Sequence, residues 1–452
     1  SLIVTGVQTC ALPIWSALGY IDVSSVLIGG TSNSSANSAA LQAAISGGGK
    51  FSITVPGTYF LELTQIGSFT ELYIGYGVRL KKAPNYYHPM FINSGIMLAS
   101  PLRNQEIAFT GPGTLDGNAD NNGAQQVGIA GSSMGSLLYG VQGNIVMIGV
   151  DRFKFSVANV EFFNSFAIQY SGNDGVFEDV FVNTKQDAFH INGPTRNVRF
   201  NRCVGYSGDD FFALNSWDWR RSGVYVGDIA GVHINGCAYY GDNIEGRTGS
   251  GIKFLAGTRP NGAGAGVGNI RDVTVTGFYC NPKVGASTPN SVMVQIPADY
   301  DQTSIEYAGY GVVENITFHG GYIVAANSNS PALAAGKNSG PTPADGQADI
   351  RVRNVRLIGT HIDCSYGDCI APVTLGTPYT GISVQGFEFG GMWTPRQSGA
   401  TDQTLIKLSN KNGIDSVSIS GLVIRRTPAT GCVAVVAIGQ YASGLATVAK
   451  KI

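Results

Sequence analysis

A short apolar unit of the form x-V-x-Φ, in which Φ is a hydrophobic residue, recurs along most of the chain. Val160, Val180 and Val198 mark three copies that follow one another at 20 and 18 residues. Later copies, such as GVHI at Val232 and RDVTV at Val273, stand farther apart because loops are inserted between them. Alternating short strands at a fixed spacing are typical of stacked coils. The pattern predicts an all-β chain, a right-handed parallel β-helix of about ten coils.

The segment before the first units has a different pattern. Residues 31–45, TSNSSANSAALQAAI, begin with side chains that cap helix N-termini and continue as a helical apolar stripe. Three glycines end this stripe, and an alternating strand and a Pro-Gly turn follow. A helix here would cover the apolar end of a solenoid and protect its open sheet edge. We expect a cap at residues 15–50, a β-helix at 51–438 and a C-terminal cap with weak helix character at 439–452.

The first residues do not share this organisation. Residues 4–14, VTGVQTCALPI, resemble the in-frame translation of a common sequencing adapter, which indicates an assembled, metagenomic-type read. They lack the basic start and the apolar core of a signal peptide. We expect residues 1–14 to add nothing to the fold, and a natural leader to be missing from this sequence.

Composition excludes several classes of partner. Charged residues make up 13% of the chain and the net charge is −1, so neither a nucleic acid nor a membrane surface is an expected partner. No apolar run reaches the roughly 18 residues of a transmembrane helix. Cys364 and Cys369, in DCSYGDC, are spaced to close a small disulfide-bonded turn, which suits a secreted protein.

Aligned copies of the unit also predict which side chains stack on neighbouring coils. Cys203 and Cys237 occupy the same place in NVRFNRC and GVHINGC, so we expect two stacked, buried thiols. Asn183, Asn201 and Asn235 each follow the aligned valine by three residues. This spacing predicts an asparagine ladder inside a turn.

Three acidic residues stand one coil apart near the middle of the chain. Asp187 lies in QDAFH, and the pair Asp209-Asp210 in SGDDFFAL begins 22 positions later. One coil of spacing puts the three carboxylates side by side. Gly-Asp-Asp is also a favourable turn sequence. The apolar strand that follows at once instead indicates partial burial, which raises one carboxyl pKa and yields a proton donor.

These motifs resemble those of the polygalacturonase-like glycoside hydrolases, family 28 and its relatives, which have a pectin-lyase-type β-helix. The family carries N-T-D and, about one coil later, G-D-D; here Asn183-Thr184 is followed by Lys185, so the first acid is best matched by Asp187. The resemblance implies that Asp209 is the general acid and that Asp187 and Asp210 hold the attacking water as the base. It also implies inversion of the anomeric carbon, as in related hydrolases.

Other residues are candidates for substrate binding. His190 matches an acid of the family pattern N-T-D-x-x-D, with a structural histidine as the alternative. Two tryptophans in NSWDWRR suggest a sugar-stacking wall beside the acids, with core packing as the alternative. Where the family carries G-H-G this chain has RTGSGIKF, and the later R-I-K set is absent, so strict specificity for galacturonan is not expected. The predicted substrate-binding residues are His190, Trp217, Asp218, Trp219, Arg247 and Lys253.

The sequence therefore predicts a secreted, monomeric glycoside hydrolase acting on a polysaccharide or oligosaccharide, with no cofactor, no metal, no nucleic acid and no membrane partner. A β-helical polysaccharide lyase is a second hypothesis; it would need a Ca²⁺ site with Arg247 or Lys253 as the base. A tailspike-type glycan-binding solenoid without activity is a third.

Overall fold

The computed structural model describes residues 16–97, 102–122, 143–216, 227–241, 250–258, 267–281, 294–296, 311–325, 332–335, 351–365, 371–375, 383–395, 403–408, 416–425, 433–438 and 448–450. The chain divides into two compact units, residues 1–184 and 185–452. Both are right-handed parallel β-helices built of stacked coils, so the predicted fold class is confirmed. The domain boundaries expected from the sequence remain a prediction.

The first unit begins with the predicted helix, α1 (Ser34–Ile45), which follows a 3-10 turn at Thr31–Asn33. Leu41 and Ile45 on its inner face are completely buried. Asn37 fixes the chain that leads into the helix, because its side chain both accepts the N–H of Ile28 and donates to the carbonyl of Ile28. The capping helix expected over residues 31–45 is confirmed.

The first unit is otherwise made of short strands. In chain order they are β1 (Tyr20–Asp22), β2 (Gly49–Ile53), β3 (Gly57–Leu61), β4 (Thr64–Ile66), β5 (Thr70–Ile74), β6 (Val78–Lys82), β7 (Phe91–Asn93), β8 (Asn104–Gln105), β9 (Ile107–Asp116), β10 (Ile145–Ile148), β11 (Val150–Asp151), β12 (Lys154–Phe163), β13 (Ile168–Ser171), β14 (Val176–Glu178) and β15 (Phe181–Thr184). Strands β4, β7, β10 and β13 form one parallel stack. Further 3-10 turns lie at Ser24–Val26, Ser94–Met97 and Ala119–Asn121.

The second unit continues the pattern with longer insertions. Its strands are β16 (Phe189–Asn192), β17 (Thr195–Asn201), β18 (Val204–Ser207), β19 (Phe212–Asn215), β20 (Ile229–Asn235), β21 (Ala238–Gly241), β22 (Ile252–Leu255), β23 (Gly257–Thr258), β24 (Val267–Gly268), β25 (Ile270–Thr276), β26 (Tyr279–Asn281), β27 (Val294–Ile296), β28 (Val312–His319), β29 (Tyr322–Val324), β30 (Leu333–Ala335), β31 (Arg351–Asp363), β32 (Val373–Leu375), β33 (Ser383–Thr394), β34 (Gln403–Leu408), β35 (Val417–Ile419), β36 (Val423–Ile424), β37 (Val433–Ile438) and β38 (Val448–Lys450).

Three parallel stacks run through the second unit. The first is β16-β19-β22-β27-β30-β32-β34-β37, the second is β17-β20-β25-β28-β31-β33-β35, and the third is β18-β21-β26-β29-β31-β33-β36, since the long strands β31 and β33 serve two stacks. Each coil visits the stacks in this order. Residues that pair in register along one stack form a column, and each column therefore contains one residue from each coil.

Large apolar side chains fill the interior of these coils. Phe189 pairs in register with Phe212 on the next coil, and their rings stack with centroids 5.3 Å apart. The ring of Phe200, on the second stack, lies 4.8 Å from that of Phe212, and all three side chains are completely buried. Burial of such rings is the main stabilising term of each coil. It also fixes the register on which the positions of the acidic residues depend.

The prediction of an asparagine ladder inside a turn was wrong. Asn183 lies on strand β15 of the first unit. Asn201 and Asn235 do pair in register, but they end strands β17 and β20, half-buried and exposed respectively, instead of lying inside a turn. A polar ladder forms elsewhere: Asn315 donates to Asp272 (2.9 Å) and Asn354 donates to Asn315 (3.1 Å). These three residues have φ of 57°, 57° and 52°, a left-handed conformation that Asn and Asp tolerate. Alignment of the valines predicts which residues pair in register, but it does not predict which residues adopt the left-handed conformation.

The other stacking predictions have mixed outcomes. Cys203 and Cys237 are buried neighbours, with the N–H of Cys203 3.4 Å from the sulfur of Cys237, so the expected pair of buried thiols is confirmed. Cys369 lies outside the described residues, and the Cys364–Cys369 disulfide stays a prediction. At the C-terminus, β38 is a strand that pairs antiparallel with β37, so the expected helix character was wrong there. Without β38, strand β37 would leave backbone N–H and C=O groups unpaired at the edge of its stack, and β38 pairs with them.

Within the parts of the chain that the structure describes, none of the helices has the length and apolarity needed to cross a membrane.

Candidate active site

Three carboxylates converge in the second unit where strands β16 and β19 begin. Asp187 stands two residues before β16, whereas Asp209 and Asp210 stand in the bend between β18 and β19. One oxygen of each carboxylate lies within 4.8 Å of one oxygen of each of the others. Asp187 and Asp210 are buried, and Asp209 is partly exposed. The cluster therefore presents one acid to solvent above two buried ones.

The backbone bend is what brings both members of the Asp-Asp pair to the same side. Successive residues of a regular strand point to opposite faces, so a straight strand would separate Asp209 from Asp210. Here the chain bends at Gly208, Asp209 and Phe211. A Cβ atom on Gly208 would lie 2.6 Å from the carbonyl oxygen of Lys185, so this close approach of two coils requires a glycine.

Asp187 is held by two hydrogen-bond donors. The backbone N–H of Asp210 donates to its Oδ1 (3.1 Å), and Nδ1 of His190 lies 2.6 Å from its Oδ2. Hydrogen bonds to an ionised acceptor are stronger than those between neutral groups. Both contacts therefore hold this buried carboxylate in one orientation.

The tautomer of His190 follows from its second partner. The side-chain amide nitrogen of Asn192 lies 3.3 Å from Nε2 of His190, and an amide nitrogen can only donate. In the neutral ring, Nε2 is thus the acceptor and the proton is on Nδ1, facing Asp187. The histidine side chain is 1% exposed. Its position suits it to orient Asp187 rather than to contact a substrate with a ring nitrogen.

Asp210 is held in a different way. The backbone N–H of Ser250 donates to its Oδ1 (2.9 Å), and the ammonium group of Lys253 lies 3.3 Å from its Oδ2. The Lys253 side chain is only 14% exposed, so this ion pair is screened little by solvent. Asp210 therefore has the positive counter-charge of a lysine, whereas Asp187 faces an imidazole that is charged only when it is protonated.

Asp209 has the most perturbed carboxyl of the cluster. Burial and the negative charges of Asp210 and Asp187 raise the pKa of Asp209 well above its ordinary value, and the Lys253 charge offsets only part of this. Burial also raises the pKa of Asp210, but the Lys253 charge and the hydrogen bond from Ser250 oppose it. Where carboxylates crowd together, one proton is shared by the group and rests on the least compensated member. That member is Asp209, which is also the one that solvent reaches.

The first stack explains how Lys253 reaches the acids. His190, Ala213 and Lys253 occupy the same column on strands β16, β19 and β22. The small side chain of Ala213 between them leaves the lysine stem free to extend toward the preceding coil. The chain thus places a histidine on one side of the cluster and a lysine on the other.

The cluster also has the composition of a cation site. Asp187, Asp209 and Asp210 are close enough for each to offer one oxygen to the same ion. Divalent cations such as Ca²⁺ prefer carboxylate oxygens. The ammonium group of Lys253 already supplies positive charge to Asp210, which reduces the electrostatic demand for an ion.

The remaining predicted site residues, Trp217, Asp218, Trp219 and Arg247, lie outside the described residues, so their roles stay predictions. Two groups that contact members of the candidate site were not predicted from the sequence: the N–H of Ser250 and the side chain of Asn192. A signal for both was present, because FHIN, FALN and IKFL align as the successive strands of one stack. That alignment puts Asn192 two residues after His190 on the same strand, and Ser250 one coil after Asp210.

Comparison with known proteins bears on the fold. No protein-family model matches the chain, and no curated protein matches it. Solved structures do match. The surface protein and adhesin PfbA of Streptococcus pneumoniae has a TM-score of 0.53 and 13% sequence identity, covering 92% of this chain and 100% of that one.

Two further structures extend this likeness. The tailspike protein of the E. coli bacteriophage HK620 has a TM-score of 0.52 and 14% identity, covering 94% of this chain and 81% of that one. An exopolygalacturonase from Thermotoga maritima has a TM-score of 0.50 and 13% identity, covering 90% of this chain and 91% of that one. At such identities the likeness concerns the fold. The chain is therefore similar in fold to parallel β-helix proteins, an exopolygalacturonase among them, and the polygalacturonase-like β-helix predicted from the motifs is confirmed at that level.

Proposed function

We propose that the protein is a glycoside hydrolase that cleaves a polysaccharide with Asp209 as the general acid and Asp187 and Asp210 as the base pair. The observation that carries this proposal is the difference between the carboxylates of the cluster. Asp187 and Asp210 are buried and each contacts two polar groups, whereas the pKa of Asp209 is strongly raised. Glycoside hydrolysis requires this pairing of a protonated and an ionised carboxyl group.

The general acid must carry a proton at working pH and must reach the leaving oxygen. Asp209 meets the first condition because burial and its two acidic neighbours hold the proton on it. It meets the second because it is the partly exposed member of the cluster. Protonation of the glycosidic oxygen lets the bond to the anomeric carbon break as an oxocarbenium-like transition state forms.

The base must take a proton from the attacking water. Asp187 and Asp210 occupy equivalent positions on neighbouring coils and are linked by the Asp210 N–H. Each keeps an oxygen near the other two acids, so a water between them can donate one hydrogen bond to each. As it attacks, its proton passes to one of these carboxylates.

We propose inversion, as in related hydrolases, and the geometry makes it worth a direct test. Inverting enzymes usually hold their carboxyl groups about 6.5–9.5 Å apart, and retaining ones about 5–5.5 Å. The oxygens of this cluster lie within 4.8 Å of one another. Proton NMR of the first product supports inversion if the anomer has the opposite configuration; the same configuration would instead assign a buried aspartate as nucleophile.

A polysaccharide or oligosaccharide is the proposed partner, with a secreted monomer as the acting form. Among proteins of similar fold, one is named an exopolygalacturonase, one a tailspike and one a surface adhesin. The motifs that bind uronate in the related hydrolases are not kept in this sequence. We therefore propose a substrate that is not restricted to galacturonan.

A lyase is the second candidate, and the contact between Lys253 and Asp210 favours it among the alternatives. A lysine beside a cluster able to bind a cation has the parts for proton abstraction and β-elimination. A lyase would release a product with a new double bond, visible by ultraviolet absorbance, and chelators would abolish activity. A third candidate, a glycan-binding solenoid without activity, would release no reducing ends.

The test begins with digestion of a glycan panel and mass analysis of the products. On whichever glycan is cleaved, Asp209→Asn should lower kcat by roughly 10²–10⁴-fold while KM changes little, because proton transfer is lost and binding is kept. Products heavier by one water per bond support hydrolysis. Near-normal turnover of the variant would end the proposed role of Asp209.

A matched control is available on the same unit. Asp272 is exposed on β25 and adopts a left-handed conformation that asparagine tolerates equally well. Asp272→Asn makes the same chemical change away from the cluster and should leave kcat unchanged.

A further inference from the structure

A row of aromatic side chains lies on the outer face of the third stack. It has one member on each of five successive strands: Tyr206 on β18, Tyr240 on β21, Tyr279 on β26, Tyr322 on β29 and His361 on β31. Consecutive ring centroids are 5.7, 5.4, 5.7 and 4.8 Å apart. We call these five residues the aromatic row.

The row faces outward along its whole length. Tyr239, Cys280 and Ile323 alternate with its members on the same strands, and these side chains are buried in the core. Tyr206 and Tyr240 remain 36% and 39% exposed, even though each contacts the next ring. The planes of Tyr206 and Tyr240 are tilted by 37°, and those of Tyr240 and Tyr279 by 47°. Rings tilted in this way do not fully cover one another, so part of the ring faces of Tyr206 and Tyr240 stays open. Tyr279 and Tyr322, in contrast, are stacked at 12° and present mainly their ring edges.

Polar groups border the row. The side-chain amide of Asn281 donates to the hydroxyl of Tyr279 (3.2 Å), and the hydroxyl of Tyr322 is hydrogen-bonded to Asp363. Nε2 of His361 lies 2.8 Å from the hydroxyl of Thr394. The surface therefore combines apolar ring area with oriented hydrogen-bonding groups. A pyranose sugar has the same two kinds of surface, an apolar C–H face and a hydroxyl edge, and amphipathic aromatic side chains suit it.

The row starts beside the acid cluster. Tyr206 precedes Asp209 by three residues, a distance of at most about 11 Å along the chain. Ser207, between them, donates its hydroxyl to the carbonyl of Asp209 (2.7 Å), which ties the start of the row to the bend. From there the row advances by one strand spacing per coil, about 4.8 Å, so its four steps extend about 19 Å. Between Tyr240 and Tyr279 it also shifts by two residues along the strand, because Tyr279 pairs with Ala238. This length fits a run of several sugars and not a single one.

We propose that the aromatic row is a glycan-binding surface, which holds a polysaccharide chain parallel to the coil axis and leads it away from the acid cluster. The link to cleavage rests on the proposed hydrolase function, whereas binding along the row does not require turnover. A polymer is the occupant because the row repeats once per coil and continues from the acids, as a chain of repeated sugars would.

The test measures binding without turnover. Asp209→Asn protein is run through native gels that contain polygalacturonate, xylan or galactomannan, and the retardation by each polysaccharide gives its dissociation constant. Adding Tyr240→Ala with Tyr279→Ala should weaken binding to the retarding polysaccharide at least tenfold, which corresponds to about 1.4 kcal/mol. Tyr240→Phe with Tyr279→Phe keeps the rings and should retain most of the affinity.

Tyr76→Ala is the matched control, because Tyr76 is 84% exposed and belongs to the first unit. It should bind as the parent does. Circular dichroism and thermal melting of each variant identify any loss of binding that comes from unfolding.

Equal retardation of the parent and the alanine variant would overturn the proposal, and so would failure of all three polysaccharides to retard the parent. Light scattering separates a different occupant: a dimer that the alanine variant abolishes would assign the row to a second copy of this chain. If the row binds a glycan that the wild-type protein never cleaves, the binding surface stands and the hydrolase proposal fails.

Discussion

Asp187 and Asp210 occupy equivalent places on neighbouring coils, yet the chain stabilises them by different means. Asp187 contacts Nδ1 of a buried histidine, whereas Asp210 pairs with the ammonium group of Lys253. Both also accept a backbone N–H from the following coil, Asp210 for the first and Ser250 for the second. The repeated backbone thus supplies the same bond twice, and the side chains supply the difference.

The difference shows how a repetitive fold can build an asymmetric site. A dipole orients a carboxylate without changing the net charge of the cluster, while a buried cation lowers the pKa of every acid around it. Lys253 lowers the pKa of both Asp209 and Asp210. His190 also lowers the pKa of Asp209, but less than Lys253 does. We therefore expect substitutions on the lysine side to move pH profiles more than substitutions on the histidine side.

The largest effect is expected when either buried carboxylate is removed. Asp187→Asn and Asp210→Asn should each lower kcat by roughly 10²–10⁴-fold, since the base is lost. Each also removes a negative charge that raises the pKa of Asp209. Because the general acid works only while protonated, the high-pH limb of the kcat profile should move to lower pH. Steady-state kinetics from pH 4 to 9 measure both effects; an unmoved limb would contradict the charge coupling.

Lys253→Met tests the cationic side of the comparison. Removal of one partner of a buried pair costs about 3 kcal/mol, so the free energy of unfolding should fall by about that amount at pH 7. The loss should shrink at pH 4, because Asp210 can then take a proton and no buried charge is left alone. Urea denaturation at both pH values measures this. Without Lys253 the pKa of Asp210 rises further, so the low-pH limb of activity should move upward.

Lys407→Met is the matched control for this variant. Lys407 stands in the same column of the first stack, four strands farther along, and is exposed. Its loss should change stability by less than about 0.5 kcal/mol. Equal losses of unfolding free energy in the two variants would show that the contact between Lys253 and Asp210 does not stabilise the protein.

His190→Gln tests the neutral side. Asp187 would lose an oriented donor, so kcat should fall about tenfold with KM nearly unchanged. The pH limbs should move less than in Lys253→Met, because His190 affects the pKa of Asp209 less than Lys253 does. Nitrogen NMR of the wild-type ring should show a protonated Nδ1 and a bare Nε2 at neutral pH. A doubly protonated ring would mean that both Asp187 and Asp210 are paired with a cation, which would contradict the proposed difference between them. His233→Gln, at an exposed position, is the control.

The smallest effect concerns stability and the proton on Asp209. Its folded-state pKa is raised above the unfolded value of about 3.9, so the native state binds the proton more tightly. That contribution is complete below about pH 4 and is lost as pH rises through the folded pKa. Asn cannot ionise, so Asp209→Asn should be more stable than wild type by about 1 kcal/mol at pH 7 and no more stable at pH 3.5. Thermal melts at the two pH values measure this gain.

Much of the fold could be predicted from local pattern. The helix over residues 34–45 has its own capping residues and break. The coils repeat a short unit whose valines at positions 160, 180, 198, 232 and 273 are completely buried. The prediction of an asparagine ladder at Asn201 and Asn235 failed because its true position depends on where the backbone bulges. The C-terminal strand β38 was missed for a similar reason: its partner, β37, and not its own propensity, decides its conformation.

By itself, the sequence determined that acids one coil apart would meet, because 23 residues separate Asp187 from Asp210 and apolar strands follow both. Stacking of equivalent residues is a consequence of the repeat, so it can be read locally. Only the tertiary structure decided which acid carries the proton. That depends on burial and on Lys253, which lies on the next coil. An insertion precedes Lys253 in the sequence, so its position relative to the acids could not be predicted from residue spacing. Charge and solvation act through space, and distance in space is fixed only when the coils have stacked.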